Sequence, residues 1–379
     1  MAHSDSLAAV LVSFYTLQYP TTSPAFPDSF HHSTYYNVGP LDICMVISLI
    51  AVMAILRDAL RLGFFEPLAR WKLHRDLAWK LKLRTKAAHQ NGTNVASNGV
   101  TNGNGHIANG NGAPSGKSNG VANGHAKVSA VSGPSTKELR QLNRSVLRFA
   151  EQGWSVVYYT IQWGFGLYVH YNLPTRVLDP IDIWREYPHI PIAGPVKFYY
   201  LTQNAFYLHQ ILILNAEARR KDHYQMMCHH VITVILILAS YFTHFTRVGC
   251  VIMVLMDCCD IFLPLAKMIR YLGLSQFACD CVFGLFLVSW LITRHFLFSI
   301  IIWSTIFVGP LYVEFKWDWE GGYYVTQHAY TGFWVMLLFL EVIQIIWFGM
   351  ICRVAYRVIT GSGAADTRSD DENEPGKED

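Results

Sequence analysis

The sequence has little charge for its length. Lys, Arg, Asp and Glu make up 15% of its 379 residues, and 52% of the residues are hydrophobic. An average soluble chain is about 25% charged. This composition excludes a disordered or fibrous chain and argues against a soluble globular enzyme. The basic residues lie beside apolar stretches rather than in one exposed patch, so the small net charge of +3 does not indicate a nucleic-acid partner.

The sequence also lacks a cysteine pattern with a known chemistry. Its eight cysteines include no CxxC pair and lie within or beside apolar segments. Neither the disulfide framework of a small secreted domain nor a paired-cysteine zinc site is therefore predicted.

Long apolar stretches are what the sequence does have. A membrane-spanning helix needs roughly 20 mostly apolar residues, and seven stretches approach this length. We predict an all-α polytopic membrane protein with about seven transmembrane helices. The last stretch but one is too long for a single perpendicular crossing, so it is either strongly tilted or extends beyond the bilayer. The predicted spans are 41–57, 153–171, 197–215, 227–243, 248–267, 280–308 and 330–352.

Lys and Arg alternate between rich and poor connections along these spans. Residues 1–41 contain none, whereas nine lie between Arg57 and Lys86. Because cytosolic loops carry the excess of Lys and Arg, the N-terminus is predicted outside the cytosol and the C-terminus inside it.

The segments between and beside the spans differ in composition, and they divide the chain into five parts. Residues 65–86 mix Leu and Trp with basic residues, which suits a helix in the lipid headgroup region. A segment rich in Asn, Gly and Ser predicts a disordered linker. The predicted parts are a non-cytosolic segment (1–40), a first span with a basic amphipathic segment (41–87), the linker (88–136), the main membrane domain (137–357) and an acidic cytosolic tail (358–379).

Ionisable residues inside the spans are the main functional candidates, because such groups are costly in a membrane. His229 and His230 open the fourth span, and Asp257 and Asp260 share one face of the fifth. These two spans are joined by a short loop, so we expect the four residues at similar depth. A histidine paired with a carboxylate in a low dielectric is a good base.

These polar residues also fit other interpretations. Zinc bound by two His and two Asp is conceivable, but no zincin motif and only one adjacent His pair are present, so no metal is predicted. A single group such as His295 is equally well explained by packing. Glu341 in the last span either pairs with Arg294 or faces a polar cavity.

Several runs of residues resemble one family. The run RRKDHYQMMCHH (219–230), followed by SY (240–241), VG (248–249) and DCCDIFLPLAKMIRYLG (257–273), resembles the Lag motif of ceramide synthases, within a TLC membrane domain. Within this run, the segment FLPLAKMIRYLG resembles the sequences of the fungal branch of the family. The resemblance covers roughly 140–357 and includes RFAEQGWSVVYY (148–159), YYLTQNAFYLHQ (199–210) and WLITRH (290–295).

The resemblance implies an enzyme in the endoplasmic reticulum membrane. It would join a fatty acyl group from acyl-CoA to the amine of a sphingoid base, within a TLC-type bundle. A thioester is already activated, so no cofactor is expected. The family often works as a homo- or heterodimer or with a small regulatory subunit, and neither the acyl-chain length nor the base preference follows from the sequence. The loop 309–329 is a candidate determinant, or an interfacial aromatic belt.

Two mechanisms fit the histidines and aspartates. Either one histidine acts as general base on the amine, or a histidine attacks the thioester and forms an acyl-imidazole. The second is favoured, with His229 as nucleophile, His230 as proton shuttle or oxyanion donor, and Asp257 and Asp260 orienting the imidazoles. The choice between the adjacent histidines stays open.

Four basic residues are candidates for substrate binding. Arg294 would stabilise developing charge or orient a carboxylate. Arg219, Arg220 and Lys221 would attract the CoA phosphates, and an ordinary topology signal explains these three equally well. The alternative functions are a non-enzymatic TLC-domain protein that senses lipid or associates with a translocon, and a proton-coupled transporter, for which no internal repeat was found.

Overall fold

The computed structural model describes residues 10–98 except 26 and 28, together with 133–216, 222–318 and 320–360. Seven long helical segments run back and forth through this part of the chain, and each of the seven predicted spans lies in one of them. Their bounds are α1 (Asp42–Leu60), continuing through a π-helical turn (Arg61–Phe65) into α2 (Glu66–Asn98), then α3 (Thr136–Asn172), α5 (Gly194–Ala216), α6 (His223–Phe242), α7 (Thr246–Cys258) with α8 (Phe262–Tyr271), α9 (Gln276–Trp290) with α10 (Phe298–Phe307), and α12 (Gln327–Ile359).

Short elements complete the fold between these helices. A 3-10 turn (Cys259–Ile261) joins α7 to α8, and a π-helical turn (Leu291–Leu297) joins α9 to α10. The remaining elements are the single-turn helices α4 (Ile181–Trp184) and α11 (Gly309–Tyr312) and the strands β1 (Pro20–Thr21), β2 (Tyr35–Tyr36), β3 (Ile192–Ala193), β4 (Lys316–Asp318) and β5 (Tyr323–Val325).

The all-α membrane fold predicted from the sequence is confirmed, although the count of seven spans is not. Five helices among the described residues are long and apolar enough to cross a membrane. The helices that fall short are α3 and α5, which carry buried polar side chains such as Gln162, Gln203 and Asn204. Buried polar side chains of this kind lower the mean hydropathy of α3 and α5.

The strands all lie at one end of the bundle, which we call the strand end. In an antiparallel sheet of order β1-β2-β3, Tyr35 pairs with Ala193, so the N-terminal segment 10–41 is joined to the start of α5. A second antiparallel pair, β4-β5, lies between α11 and α12. No strand was predicted, because two-residue strands leave no periodic pattern in the sequence.

A buried ion pair fastens the same end. The Lys197 ammonium lies 2.7 Å from Asp42 Oδ1 and donates to the backbone oxygens of Gln18 and Asn37 at 2.8 Å each. The other oxygen of Asp42 accepts a hydrogen bond of 2.7 Å from the Tyr241 hydroxyl. Three helices and the N-terminal segment therefore meet at one carboxylate.

The opposite end, where α1 passes into α2 and α3 begins, we call the basic end. Residues 65–86 are helical, as predicted, but they continue α1 and pack on α3, with Phe65 and Ala69 in one apolar cluster with Val146 and Phe149. The helix runs on to Asn98, past the predicted linker boundary at residue 87. Residues 99–132 of that linker and residues 361–379 of the predicted tail lie outside the described residues.

A capping box begins α3. The Ser135 hydroxyl accepts from the backbone N–H of Lys137, while the Glu138 carboxylate accepts from the Ser135 N–H at 3.0 Å. This backbone hydrogen bond and the Arg84 guanidinium, 2.8 Å away, lower the pKa of Glu138. The pair Arg84–Glu138 thus links α2 to the first turn of α3.

Candidate active site

His229 and His230 lie near the basic end of α6, about 9 Å from its first residue at the rise of a regular helix. Their rings are 5.4 Å apart between centroids. Trp347 of α12 packs edge-on against His229 at 5.3 Å, and Tyr207 of α5 lies 5.7 Å from His230. Within the described ranges, Nδ1 of each histidine is buried without a hydrogen-bond partner. Each imidazole is therefore held by aromatic packing rather than by a hydrogen bond.

Asp260 and Arg294 form an ion pair between the turn after α7 and the π-helical turn before α10. Arg294 Nη2 donates to Asp260 Oδ2 and to the Met256 carbonyl oxygen, each at 2.7 Å. The guanidinium also lies 4.3 Å from the centre of the Trp290 ring. Aromatic, carboxylate and carbonyl groups together stabilise a cation that is otherwise costly in a membrane.

Asp257 has a different partner. Its side chain is buried, and its Oδ2 accepts a hydrogen bond from Gln203 Nε2 of α5. Gln203 Nε2 also lies 3.3 Å from the Tyr199 hydroxyl. Asp257 is thus hydrogen-bonded to a neutral amide, whereas Asp260 is paired with a cation.

The structure pairs these aspartates differently from the sequence-based expectation. In the part of the chain that the structure describes, no hydrogen bond joins His229 or His230 to Asp257 or Asp260. The α-helix ends at Cys258 and tightens into a 3-10 turn over Cys259–Ile261. Asp257 is hydrogen-bonded to α5 and Asp260 to the turn before α10. A permanently charged guanidinium holds Asp260, because it is a stronger partner for a carboxylate than a neutral imidazole.

A narrow apolar cavity begins beside His229, with about 80 Å³ of space for the centre of a water molecule. It follows one face of α6 as far as Ser240, a distance of about 16 Å along the helix. That is close to the depth of one leaflet, half of the roughly 30 Å hydrocarbon core of a bilayer. The other walls are mostly aliphatic and aromatic side chains, including Ile252 and Met256 of α7 and Leu337 and Leu340 of α12.

Aromatic residues close the cavity at the strand end. Trp184 of α4 donates from its indole N–H to the Ser304 hydroxyl. The Tyr330 hydroxyl donates to the Thr305 carbonyl oxygen at 2.6 Å, and Phe245 lies 5.9 Å from the Tyr330 ring. The cavity is thus deep and apolar, with a histidine at one end and a fixed wall at the other.

The remaining predicted residues have separate outcomes. Arg219, Arg220 and Lys221 lie outside the described residues. Glu341 does not pair with Arg294: its Oε1 lies 2.7 Å from His295 Nδ1. Among the described residues, no group of three or more His, Cys, Asp and Glu side chains is arranged to hold a metal ion.

Sequence reasoning missed Gln203 and Trp347 as members of this site. Gln203 is a buried amide within a predicted span, which is a signal of the same kind as the aspartates. Trp347 donates to Gln225 Oε1 at 3.3 Å while packing on His229. Nothing in the sequence distinguishes it from the other tryptophans, because its role depends on how α12 faces α6.

Repeated apolar helices, with histidines and an ion pair buried between them, define a multi-pass α-helical membrane protein. The chain belongs to the TLC domain family, whose domain matches residues 148–353. The family resemblance read from the sequence is confirmed at this level.

The chain is also similar to named relatives, most of them fungal. Sphingosine N-acyltransferase lag1 of Schizosaccharomyces pombe is 42% identical over 234 residues, covering 61% of this chain and 60% of that protein. Ceramide Synthase FUM18 of Gibberella moniliformis is 38% identical over 257 residues, covering 61% and 60%. Ceramide synthase LAG1 of Saccharomyces cerevisiae is 33% identical over 242 residues, covering 61% and 56%. The chain thus spans about three fifths of the length of these relatives.

Proposed function

We propose that this protein is a ceramide synthase, which transfers a fatty acyl group from acyl-CoA to the amine of a sphingoid base. The observation that carries the proposal is His229 at the end of the apolar cavity. His229 is the only histidine among the described residues lining it. A leaflet-deep apolar slot suits a fatty acyl chain, and an imidazole at its end is a nucleophile suited to a thioester. The names of the relatives support the same reaction.

In the proposed mechanism, a nitrogen of His229 attacks the thioester carbonyl carbon. The carbon–sulfur bond breaks, the N–H proton of the attacking imidazole passes to the sulfur so that CoA leaves as the thiol, and an acyl-imidazole forms with the chain in the cavity. The amine nitrogen then attacks the same carbon, the carbon–imidazole bond breaks, and the amine proton passes to an imidazole. His230, 5.4 Å away between ring centroids, is the proton shuttle or oxyanion donor.

The charged residues have supporting roles in this proposal. Arg294 and Asp260 neutralise each other and position Met256, whose carbonyl oxygen accepts from Arg294. Asp257 and Gln203 fix α7 against α5. None of these contacts orients an imidazole directly. The acyl-CoA head would approach at the basic end, and the basic residues Arg219, Arg220 and Lys221 of the sequence would attract its phosphates.

Location, assembly and domain limits belong to the same proposal. The distribution of Lys and Arg supports a cytosolic location for the basic end, and the lipid substrates support the endoplasmic reticulum membrane. A homo- or heterodimer, or a small regulatory subunit, would be seen as added mass in native mass spectrometry. The match to residues 148–353 supports a TLC domain over 137–357, preceded by parts 1–40, 41–87 and 88–136 and followed by the tail 358–379.

The test is an assay of the purified chain in detergent with a sphingoid base and acyl-CoAs of graded chain length, read by mass spectrometry. We expect ceramide from the wild type and none from His229→Ala. With acyl-CoA alone, the intact wild-type protein should gain the mass of one acyl group, and the gain should map to a peptide from α6.

The matched control is His32→Ala, which removes an exposed histidine of the N-terminal segment and should leave turnover unchanged. Acylation that persists in His229→Ala but vanishes in His230→Ala would exchange the two roles. Normal turnover by both variants would refute a histidine nucleophile. Absence of any product from the folded wild type, supplied with its partners, would favour the non-enzymatic lipid-sensing alternative.

A further inference from the structure

Another histidine in the membrane, His295, has no part in the mechanism above. It lies in the π-helical turn between α9 and α10, next to Arg294. The two neighbours point to different helices: Arg294 to the end of α7, and His295 to Glu341 of α12. His295 Nδ1 lies 2.7 Å from Glu341 Oε1, and the ring packs edge-on against Phe348 at 5.0 Å. A π-helical turn inside a long helix is frequently found at a functional site.

The unused atoms of this pair are both hydrogen-bond acceptors. When Nδ1–H donates to the carboxylate, Nε2 carries a lone pair. His295 Nε2 and Glu341 Oε2 are both buried, and within the described ranges neither has a hydrogen-bond partner. A neutral imidazole with an ionised carboxylate also leaves one negative charge in apolar surroundings. The group that satisfies both features is a cation with several N–H donors, and a primary ammonium has three.

The surroundings of His295 face lipid. Leu291 and Phe296 are 51% and 62% exposed, and exposure on a spanning helix means contact with the bilayer. With His295, one side of the helix carries a stripe that borders a shallow, open depression. We call it the His295 stripe; its other members are Leu291, Ile292, Phe296, Ser299, Ile300 and Trp303.

The pair is one side-chain layer away from the cavity. Glu341 follows Leu340, which lines the cavity, and it precedes Gln344 by one turn of α12. Gln344 Nε2 lies 3.1 Å from the sulfur of Met256, which also lines the cavity. The His295 pair therefore stands between the lipid and the wall of the acyl site.

We propose that the His295–Glu341 pair and the His295 stripe form a binding site for a long-chain primary amine that arrives from within the bilayer. The ammonium donates to His295 Nε2, and Glu341 on the other side of the imidazole balances its charge, while the hydrocarbon chain lies along the stripe. The choice of a long-chain amine rests on the proposed function, because a sphingoid base is such an amphiphile and has no need to leave the membrane. The site differs from the acyl cavity in both its wall and its charge.

The experiment measures equilibrium binding of radiolabelled octadecylamine to the full chain in phosphatidylcholine nanodiscs, without acyl-CoA and with empty nanodiscs as background. We expect saturable binding that unlabelled octadecylamine displaces. Octadecan-1-ol and octadecyltrimethylammonium should displace it at least tenfold less well, because the first lacks the charge and the second lacks N–H donors. Glu341→Gln and His295→Phe should each weaken binding by about tenfold or more. Glu314→Gln, the same change at an exposed loop position, should bind as the wild type does.

Two results would overturn the site. One is wild-type affinity in Glu341→Gln, including a variant protein that melts earlier but binds the amine normally once folded. The other is equal displacement by the quaternary ammonium. The competition among the three probes needs no variant, so it tests the site even when a variant fails to fold. Ceramide formation without amine binding here would reject this site alone, and amine binding without ceramide would reject the proposed function alone.

Discussion

At the scale of residues, the geometry of the site depends on which polar atoms have a hydrogen-bond partner. Asp257 and Asp260 are three positions apart, yet one is served by an amide and the other by a guanidinium. The imidazoles of His229 and His230 have aromatic neighbours instead. An imidazole nucleophile needs one unprotonated nitrogen, and aromatic packing rather than a carboxylate positions these two rings.

The first prediction concerns the ion pair of Arg294 and Asp260. Arg294→Met should lower the free energy of unfolding by about 3 kcal/mol, because it leaves a carboxylate in the membrane without its cation. Chemical denaturation in detergent measures the change.

The double variant Arg294→Met/Asp260→Leu is the control for that prediction. With neither charge present, it should be more stable than Arg294→Met alone. A double variant as unstable as the single one would show that the loss comes from packing around Trp290 rather than from the unpaired carboxylate.

The second prediction concerns a close approach of backbone and side chain at Gly249. A Cβ at this position would overlap the hydroxyl of Tyr200, which lies 3.2 Å from the Ser240 Oγ. Gly249→Ala should therefore lower the midpoint of thermal unfolding, at a cost of about 1 to 3 kcal/mol. Gly284→Ala is the matched control, since no atom lies within 4 Å of the added carbon. A loss in Gly284→Ala equal to that in Gly249→Ala would contradict this explanation.

At the scale of elements, the helices were predictable and their partners were not. The spans, and the places of His229, Asp257 and Arg294 within them, follow from local hydropathy. The pairs Arg294–Asp260 and His295–Glu341 depend on the π-helical turn at Leu291–Leu297, which changes the direction of each later side chain. No local pattern encodes that turn, because it depends on the packing of neighbouring helices.

The third prediction concerns the wall that ends the cavity. Trp184→Leu should lengthen the space available to an acyl chain, so the products should shift toward longer acyl groups. The variant is milder than Trp184→Ala, which would cost about 3 to 5 kcal/mol in a buried position. Mass spectrometry of products formed from an equimolar mixture of acyl-CoAs measures the shift.

The control for the cavity wall is Trp317→Leu, which changes a tryptophan of β4 that is 69% exposed and should leave the product pattern unaltered. A longer product pattern from this variant and not from Trp184→Leu would assign chain length to the loop 309–329, the determinant suggested by the sequence.

At the scale of the whole molecule, the N-terminal segment is part of the bundle although it precedes the matched TLC domain. The sheet β1-β2-β3 and the Lys197–Asp42 pair hold residues 10–41 on the strand end. The sequence predicted only a non-cytosolic segment there, because both contacts join residues more than 150 positions apart. Distant contacts of this kind leave no trace in local composition.

The fourth prediction concerns this fastening. Lys197→Met leaves Asp42 buried with only neutral partners, so the free energy of unfolding should fall by about 3 to 5 kcal/mol. Limited proteolysis should then cut the N-terminal segment faster than in the wild type. Lys316→Met removes an exposed lysine and is the control. Unchanged proteolysis in Lys197→Met would mean that the sheet alone holds the segment.

The pair of Lys197 and Asp42 also has a consequence for the chain during its synthesis. The two residues are 155 positions apart, which a ribosome covers in roughly 8 to 30 s at ordinary rates of synthesis. During that interval the first helix stands in the membrane with a carboxylate that has no cation, because α5, which carries the cation, has not yet been made. A newly made chain is therefore most exposed to quality control before α5 emerges, and the arrival of Lys197 ends that interval.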